Sequence, residues 1–125
     1  MLVGLGLDVI EVDRIQRAMR SFKGRFRTKI FTPGEIAHCS EAKRPSLAYA
    51  ARWAAKEACM KALGTGWQGG VSFLEIEVVN DASGKPSLVL TGAALARLEA
   101  LGNPSIFVSM SDTRRTAAAV VALER

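Results

Sequence analysis

The chain has 125 residues with 17 Lys+Arg against 12 Asp+Glu, a net charge of +5, and its length is that of one domain. Hydrophobic residues at 49% and charged residues at 23% match globular domains, which argues against disorder, collagen-like sequence and low complexity. Aromatic residues make up only 6%, so a core here must rely on Ala, Val, Leu and Ile.

Leu2 to Val12 is an apolar run broken by small residues and ending among acids, which predicts a buried strand with Asp8 near its exit. Gly4 and Gly6 leave room there for close backbone packing. This start lacks a basic n-region, and no apolar stretch reaches the ~20 residues of a membrane span, so a cytoplasmic protein with no membrane partner is expected. From Asp13, residues Ile15, Ala18, Met19 and Phe22 recur near helical spacing, with Asp13 as N-cap or first-turn acid. Arg14, Arg17, Arg20, Lys23, Arg25, Arg27 and Lys29 follow with no acid before Glu35, and Arg14, Arg17 and Ser21 share one helical face.

Phe31-Thr32-Pro33-Gly34-Glu35 reads as a helix start, with Thr32 as N-cap, Pro33 in the first turn and Glu35 as the capping-box partner. A longer alanine-rich helix is predicted over Ser46 to Leu63, stopped by Gly64. After the glycine-rich turn Gly64 to Gly70, Leu74 to Val78 alternates apolar and acidic side chains as a half-wet strand does. Asn80 to Pro86 is a hairpin turn, Ser87 to Thr91 its return strand, and Gly92 to Leu101 a short helix. Strands over Ile106 to Ser111 and Thr116 to Leu123 close the chain, the last apolar on both faces and so central. These elements predict an α+β fold: a single compact domain, residues 1–125, with an antiparallel sheet packed against a long helix.

Two acids interrupt apolar patterns, Asp8 on the first strand and Glu57 in the long helix, and a lone buried carboxylate costs several kcal/mol unless a cation compensates it. One reading makes Glu57 a plain i,i+4 partner of Lys61 and Asp8 a helix cap; the other makes the two carboxylates oxygen ligands for Mg²⁺. Gly64-Thr65-Gly66, after Lys61, offers backbone N–H groups to an anion. It lacks Walker spacing, and Gly4-Leu5-Gly6 lacks the third glycine of a dinucleotide fingerprint. Cys39 and Cys59 are neither a thiol–disulfide motif nor, with the single His38, a zinc site; His38 reads as a surface or capping residue.

The segments Gly4 to Ile15, Phe31 to Glu35 and, above all, Arg52-Trp53-Ala54-Ala55-Lys56-Glu57-Ala58 through Lys61-Ala62-Leu63-Gly64-Thr65-Gly66 resemble the holo-[acyl-carrier-protein] synthases, the small class of 4′-phosphopantetheinyl transferases. The likeness runs in order along nearly the whole chain. It implies Mg²⁺-dependent transfer of phosphopantetheine from coenzyme A to a serine of apo acyl carrier protein, releasing adenosine 3′,5′-bisphosphate. Position by position, it makes Asp8 and Glu57 metal ligands and places Lys61 at the coenzyme A phosphates as a catalytic cation. Arg52 and Arg44 become candidates for the 3′-phosphate, and Gly64, Thr65 and Gly66 line the cofactor site. Acyl carrier proteins are small and strongly acidic, so Arg14 and Arg17 become the partner-binding face; the family's homotrimer, with sites between subunits, is expected by the same resemblance.

The resemblance departs at the end of the penultimate strand, where the family's S-x-S-H reads Ser109-Met110-Ser111-Asp112. Either Asp112 takes the histidine's place, with Arg114 or Arg115 balancing its charge, or Glu57 or Glu35 accepts the serine proton. Two rival readings are a carrier-protein or coenzyme A binder without catalysis and a small basic nucleic-acid-binding module. No nucleic-acid motif accompanies the basic segment, and Phe22, Phe26 and Phe31 sit at spacings suited to core packing, so no nucleic-acid partner is expected.

Overall fold

The computed structural model describes residues 1–66 and 69–125, apart from the side chains of Phe22 and Lys23. Trp67 and Gln68 of the glycine-rich turn, and the place of the Phe22 side chain on its helix, therefore lie outside the described residues. In chain order the elements are β1 (Leu2–Glu11), α1 (Val12–Arg20), a 3₁₀ turn (Ser21–Gly24), α2 (Arg25–Ile30), α3 (Pro33–Ser40) and α4 (Pro45–Leu63). After a second 3₁₀ turn (Phe73–Glu75) come β2 (Ile76–Asn80), β3 (Pro86–Leu90), α5 (Gly92–Ala100), β4 (Ser105–Asp112) and β5 (Thr116–Glu124).

The α+β expectation holds. One antiparallel sheet has the order β1-β5-β4, with β5 central as its two-faced apolar pattern requires, and β2 and β3 form a separate hairpin. Alternation divides the larger sheet into two faces. Gly6, Ile10, Ala117, Ala119, Val121 and Leu123 are buried on the face that carries α4. The opposite face exposes Leu5 (60%), Leu7 (59%), Val9 (59%) and Phe107 (58%).

The alanines of α4 allow its backbone to approach β1 closely. A Cβ built on Gly6 would collide with the carbonyl oxygen of Ala58, and one on Gly4 would meet that of Ala62, so β1 runs directly under the second half of the helix. Gly64 ends α4 with φ 77°, the left-handed turn expected of it. The capping box at α3 is also present: Thr32 Oγ1 accepts from the Glu35 N–H, and the Glu35 carboxylate accepts from the Thr32 N–H.

The helix expected from Asp13 forms as α1, ending at Arg20; the 3₁₀ turn at Ser21–Gly24, where Gly24 takes φ 82°, and the further helix α2 were not foreseen. One predicted element differs. The strand predicted from Leu74 begins only at Ile76: Ser72 caps a 3₁₀ turn, and Glu75 bonds back to the Ser72 N–H instead of lining a strand face.

Candidate active site

Trp53, Glu57 and Lys61 recur every fourth residue on α4 and so share one face. β1 lies against that half of the helix and delivers Asp8 to it. Lys61 Nζ donates to the Leu7 carbonyl at 2.8 Å and to Asp8 Oδ1 at 3.2 Å. Asp8 is thus not a helix cap; α1 follows Glu11 as N-cap and carries Asp13 in its first turn. Lys61 is half-exposed while Asp8 is mostly buried, and solvent on the lysine side keeps the pair's own contribution to stability small.

The donor chemistry suits a hard cation. Two carboxylates on adjoining elements supply oxygen only, which a hard cation prefers, while Lys61 beside Asp8 favours an anion such as phosphate next to that ion. Among the described residues no third His, Cys, Asp or Glu completes a cluster, so a divalent ion held here would take its other oxygens from water and phosphate, which is the habit of Mg²⁺.

The Gly64-Thr65-Gly66 turn offers less to an anion than its sequence suggested. The Gly64 and Thr65 N–H groups both close back onto the Met60 carbonyl, Gly64 also onto Lys61, as a helix C-terminus requires. This leaves the Gly66 N–H and the Thr65 hydroxyl, whose buried Oγ1 has no partner among the described residues.

Arg44 and Arg52 are not brought together. Arg44, at the entrance of α4, donates to the Arg114 carbonyl at 2.5 Å and lines a cleft of about 280 Å³ with Asp13, Ser46, Arg114 and Arg115. Arg52 faces β2, is 95% buried, and donates through Nη2 to Asn80 Oδ1 at 2.6 Å, while its Nε has no partner among the described residues. Its cleft is a different one, shared with His38, Glu77 and Asn80. His38 itself is exposed in the last turn of α3.

Asp112 also stands apart from Asp8 within the chain. Asp8 pairs with Ala119 and through it with Met110, whereas Asp112 lies two strands over and two residues further along, roughly 12 Å away at ordinary strand spacings. Among the described residues Asp112 forms no ion pair, so neither Arg114 nor Arg115 balances it. Glu35 is removed from the proton-accepting candidates. Both its oxygens are engaged in the interior, Oε1 by the Thr32 N–H and Lys56 Nζ, Oε2 by the Val78 N–H.

Sequence reasoning missed two features. Lys56, next to Glu57, turns inward and is fully buried against Glu35 at 2.6 Å; burial pushes its pKa below the usual 10.5, with Glu35 opposing the shift. Phe26, Ile30, Trp53 and Phe73 line an apolar cleft of about 400 Å³ with Lys29 and Ser72. Its signal in the sequence was Trp53 one turn before Glu57. The exposed arginines of α1 and α2 lie next to it in the chain: Arg14, Arg17, Arg20, Arg25 and Arg27.

A strand-borne carboxylate and a helix-borne carboxylate–lysine pair on this fold define the class. The family model of the 4′-phosphopantetheinyl transferase superfamily matches residues 4–119. A holo-[acyl-carrier-protein] synthase of Solidesulfovibrio magneticus is 52% identical over 124 residues, 99% of each chain. The crystal structure of that enzyme from Neisseria meningitidis superimposes with a TM-score of 0.90 at 40% identity, covering 100% of both chains. The Bacillus anthracis enzyme, solved in complex with CoA (3′,5′-ADP), gives 0.82 at 36% identity, covering 99% of this chain and 97% of that one. The chain belongs to the holo-[acyl-carrier-protein] synthase family.

Proposed function

We propose that this chain, as a single catalytic domain over residues 1–125, transfers 4′-phosphopantetheine from coenzyme A to a serine of apo acyl carrier protein. The observation that carries the reading is the convergence of Asp8 and Lys61 beside Glu57 in a chain of this family. In the reaction the serine oxygen bonds to the phosphorus that carries pantetheine. The P–O–P bond on its far side breaks, and adenosine 3′,5′-bisphosphate leaves. Asp8 and Glu57 would hold Mg²⁺, which when bound supplies positive charge to the pyrophosphate. Lys61 stands next to Asp8 as a half-exposed cation able to offset the charge that grows on the leaving phosphate. Gly66 and Thr65 line the same end of α4.

Arg44, with Arg114 and Arg115, offers the 3′-phosphate a basic cleft; Arg52, buried on Asn80, reaches a phosphate only through its own cleft. Asp112 orients or accepts the serine proton, and its place two strands from Asp8 is compatible with a site to which a neighbouring copy contributes Asp112. That accords with the homotrimer expected from the family, as does the exposed Leu5–Leu7–Val9–Phe107 face, a contiguous apolar surface of the kind that marks an interface. The arginines of α1 and α2 would receive an acidic carrier protein, and the aromatic cleft beside them an apolar side chain of it. Among the described residues no helix is long and apolar enough to cross a membrane, and a cytoplasmic place of action accords with these substrates.

The test is product release. Coenzyme A, Mg²⁺ and apo carrier protein incubated with the chain should yield adenosine 3′,5′-bisphosphate by chromatography, and chelation of the metal should stop it. Tight binding of both substrates without this product would instead support a non-catalytic binder.

A further inference from the structure

Lys56 and Glu35 take no part in the chemistry at Asp8, yet with Arg52 they are the buried charges of the described residues. Lys56 Nζ is held from three sides: by Glu35 Oε1 at 2.6 Å, by the Phe73 carbonyl, to which it donates at 2.9 Å, and by the Phe31 ring, 5.6 Å away at its centroid. Glu35 cannot shift without breaking the cap of α3 and the bond from the Val78 N–H on β2.

The carbonyl that Lys56 grips belongs to a wall of the aromatic cleft. The Phe73 ring stacks on Trp53 at 4.7 Å and 19°, and Trp53 packs against Phe26 at 5.7 Å. Apolar residues of similar volume usually fill such a space with equal or better stability. An ammonium differs from them in fixing one carbonyl at one place, and with it the backbone from which the Phe73 ring projects onto Trp53.

We propose that Lys56, oriented by Glu35, is a positioning residue that sets the Phe73–Trp53 wall, so that recognition of the carrier protein depends on this buried pair while use of coenzyme A does not. The inference rests on the reading of the aromatic cleft as part of the carrier-protein surface.

Steady-state kinetics of the full chain with Mg²⁺, coenzyme A and apo carrier protein test it. Lys56→Met/Glu35→Gln removes both charges together and leaves no ion unpaired, at the cost of one of the two backbone N–H bonds that Glu35 accepts, from Thr32 or from Val78. Its KM for carrier protein should rise about tenfold, with kcat and the KM for coenzyme A within about twofold of native. In a Trp67→Phe background, the Trp53 emission should shift as the stack loosens. Should the double variant not unfold cooperatively, Lys56→Arg carries the test. It keeps a cation beside Glu35 on a longer, planar head and should move the carrier-protein KM in the same direction. An unchanged carrier-protein KM in the folded variant, or a fall in kcat alone, overturns the proposal. Trp53→Ala tells which layer failed. If it raises that KM while the double variant does not, only the positioning role falls; if it too leaves the KM unchanged, the cleft is not a docking surface and both readings fall.

Discussion

Lys61 meets Asp8 because a small residue two positions earlier, Gly6, lets β1 lie against the backbone of α4. The carboxylates were legible in the sequence as acids in apolar runs. The buried Lys56 was not, because in an alanine-rich helix an inward lysine and an outward one leave the same pattern. Asp8→Asn and Glu57→Gln should each lower turnover on the order of a hundredfold or more, as expected for groups that stabilise developing charge. Circular dichroism should show the fold intact, and near-native rates for both at limiting Mg²⁺ would remove them from the site. Asp112 makes a separate claim. A histidine changes charge near neutrality and a carboxylate does not, so Asp112→His should stay active and add an inflection near ~6.5 to the rate–pH profile. If Asp112→Ala matches the native rate across that range, position 112 has no part in proton transfer and Glu57 becomes the acceptor to test.

Local chemistry explains which elements could be read in advance. The Thr32–Glu35 capping box and the Gly64 stop are encoded within four residues, and both form as read. Alternation at Leu74–Glu75 is overridden by Ser72, whose hydroxyl accepts from the Leu74 N–H and whose backbone N–H donates to the Glu75 carboxylate. The β2–β3 hairpin is set by Asp81, whose Oδ1 accepts from the Ser83 hydroxyl at 2.6 Å and from the Ser83 and Lys85 N–H groups. These bonds, the Ser83 hydroxyl first, hold its carboxyl below the usual 3.8. With the folded value below the unfolded one, the stabilisation is present above 3.8 and lost as pH falls through the lowered value. Asp81→Ala should therefore destabilise the chain in urea at neutral pH, and the gap from native should close in acid; a gap independent of pH would mean that the carboxylate's charge is not what shapes the turn.

At the scale of the whole molecule, charge and apolar surface are segregated. Exposed arginines crowd α1 and α2, while the open sheet face exposes leucine, valine and phenylalanine. The basic segment was plain in the sequence; the separation of Arg44 from Arg52, and of Asp112 from Asp8, was not, since both depend on which face of α4 or which strand carries each residue. Arg14→Glu with Arg17→Glu should raise the KM for carrier protein and flatten its dependence on salt, leaving coenzyme A binding unchanged. A loss of coenzyme A affinity instead would assign that face to the nucleotide. The most direct measurement is the intact mass of apo acyl carrier protein after incubation with this chain, coenzyme A and Mg²⁺. A gain of one phosphopantetheine group, absent when the carrier's acceptor serine is replaced by alanine, is the predicted result; an unchanged mass with a folded, substrate-binding chain would contradict the assignment of transferase activity.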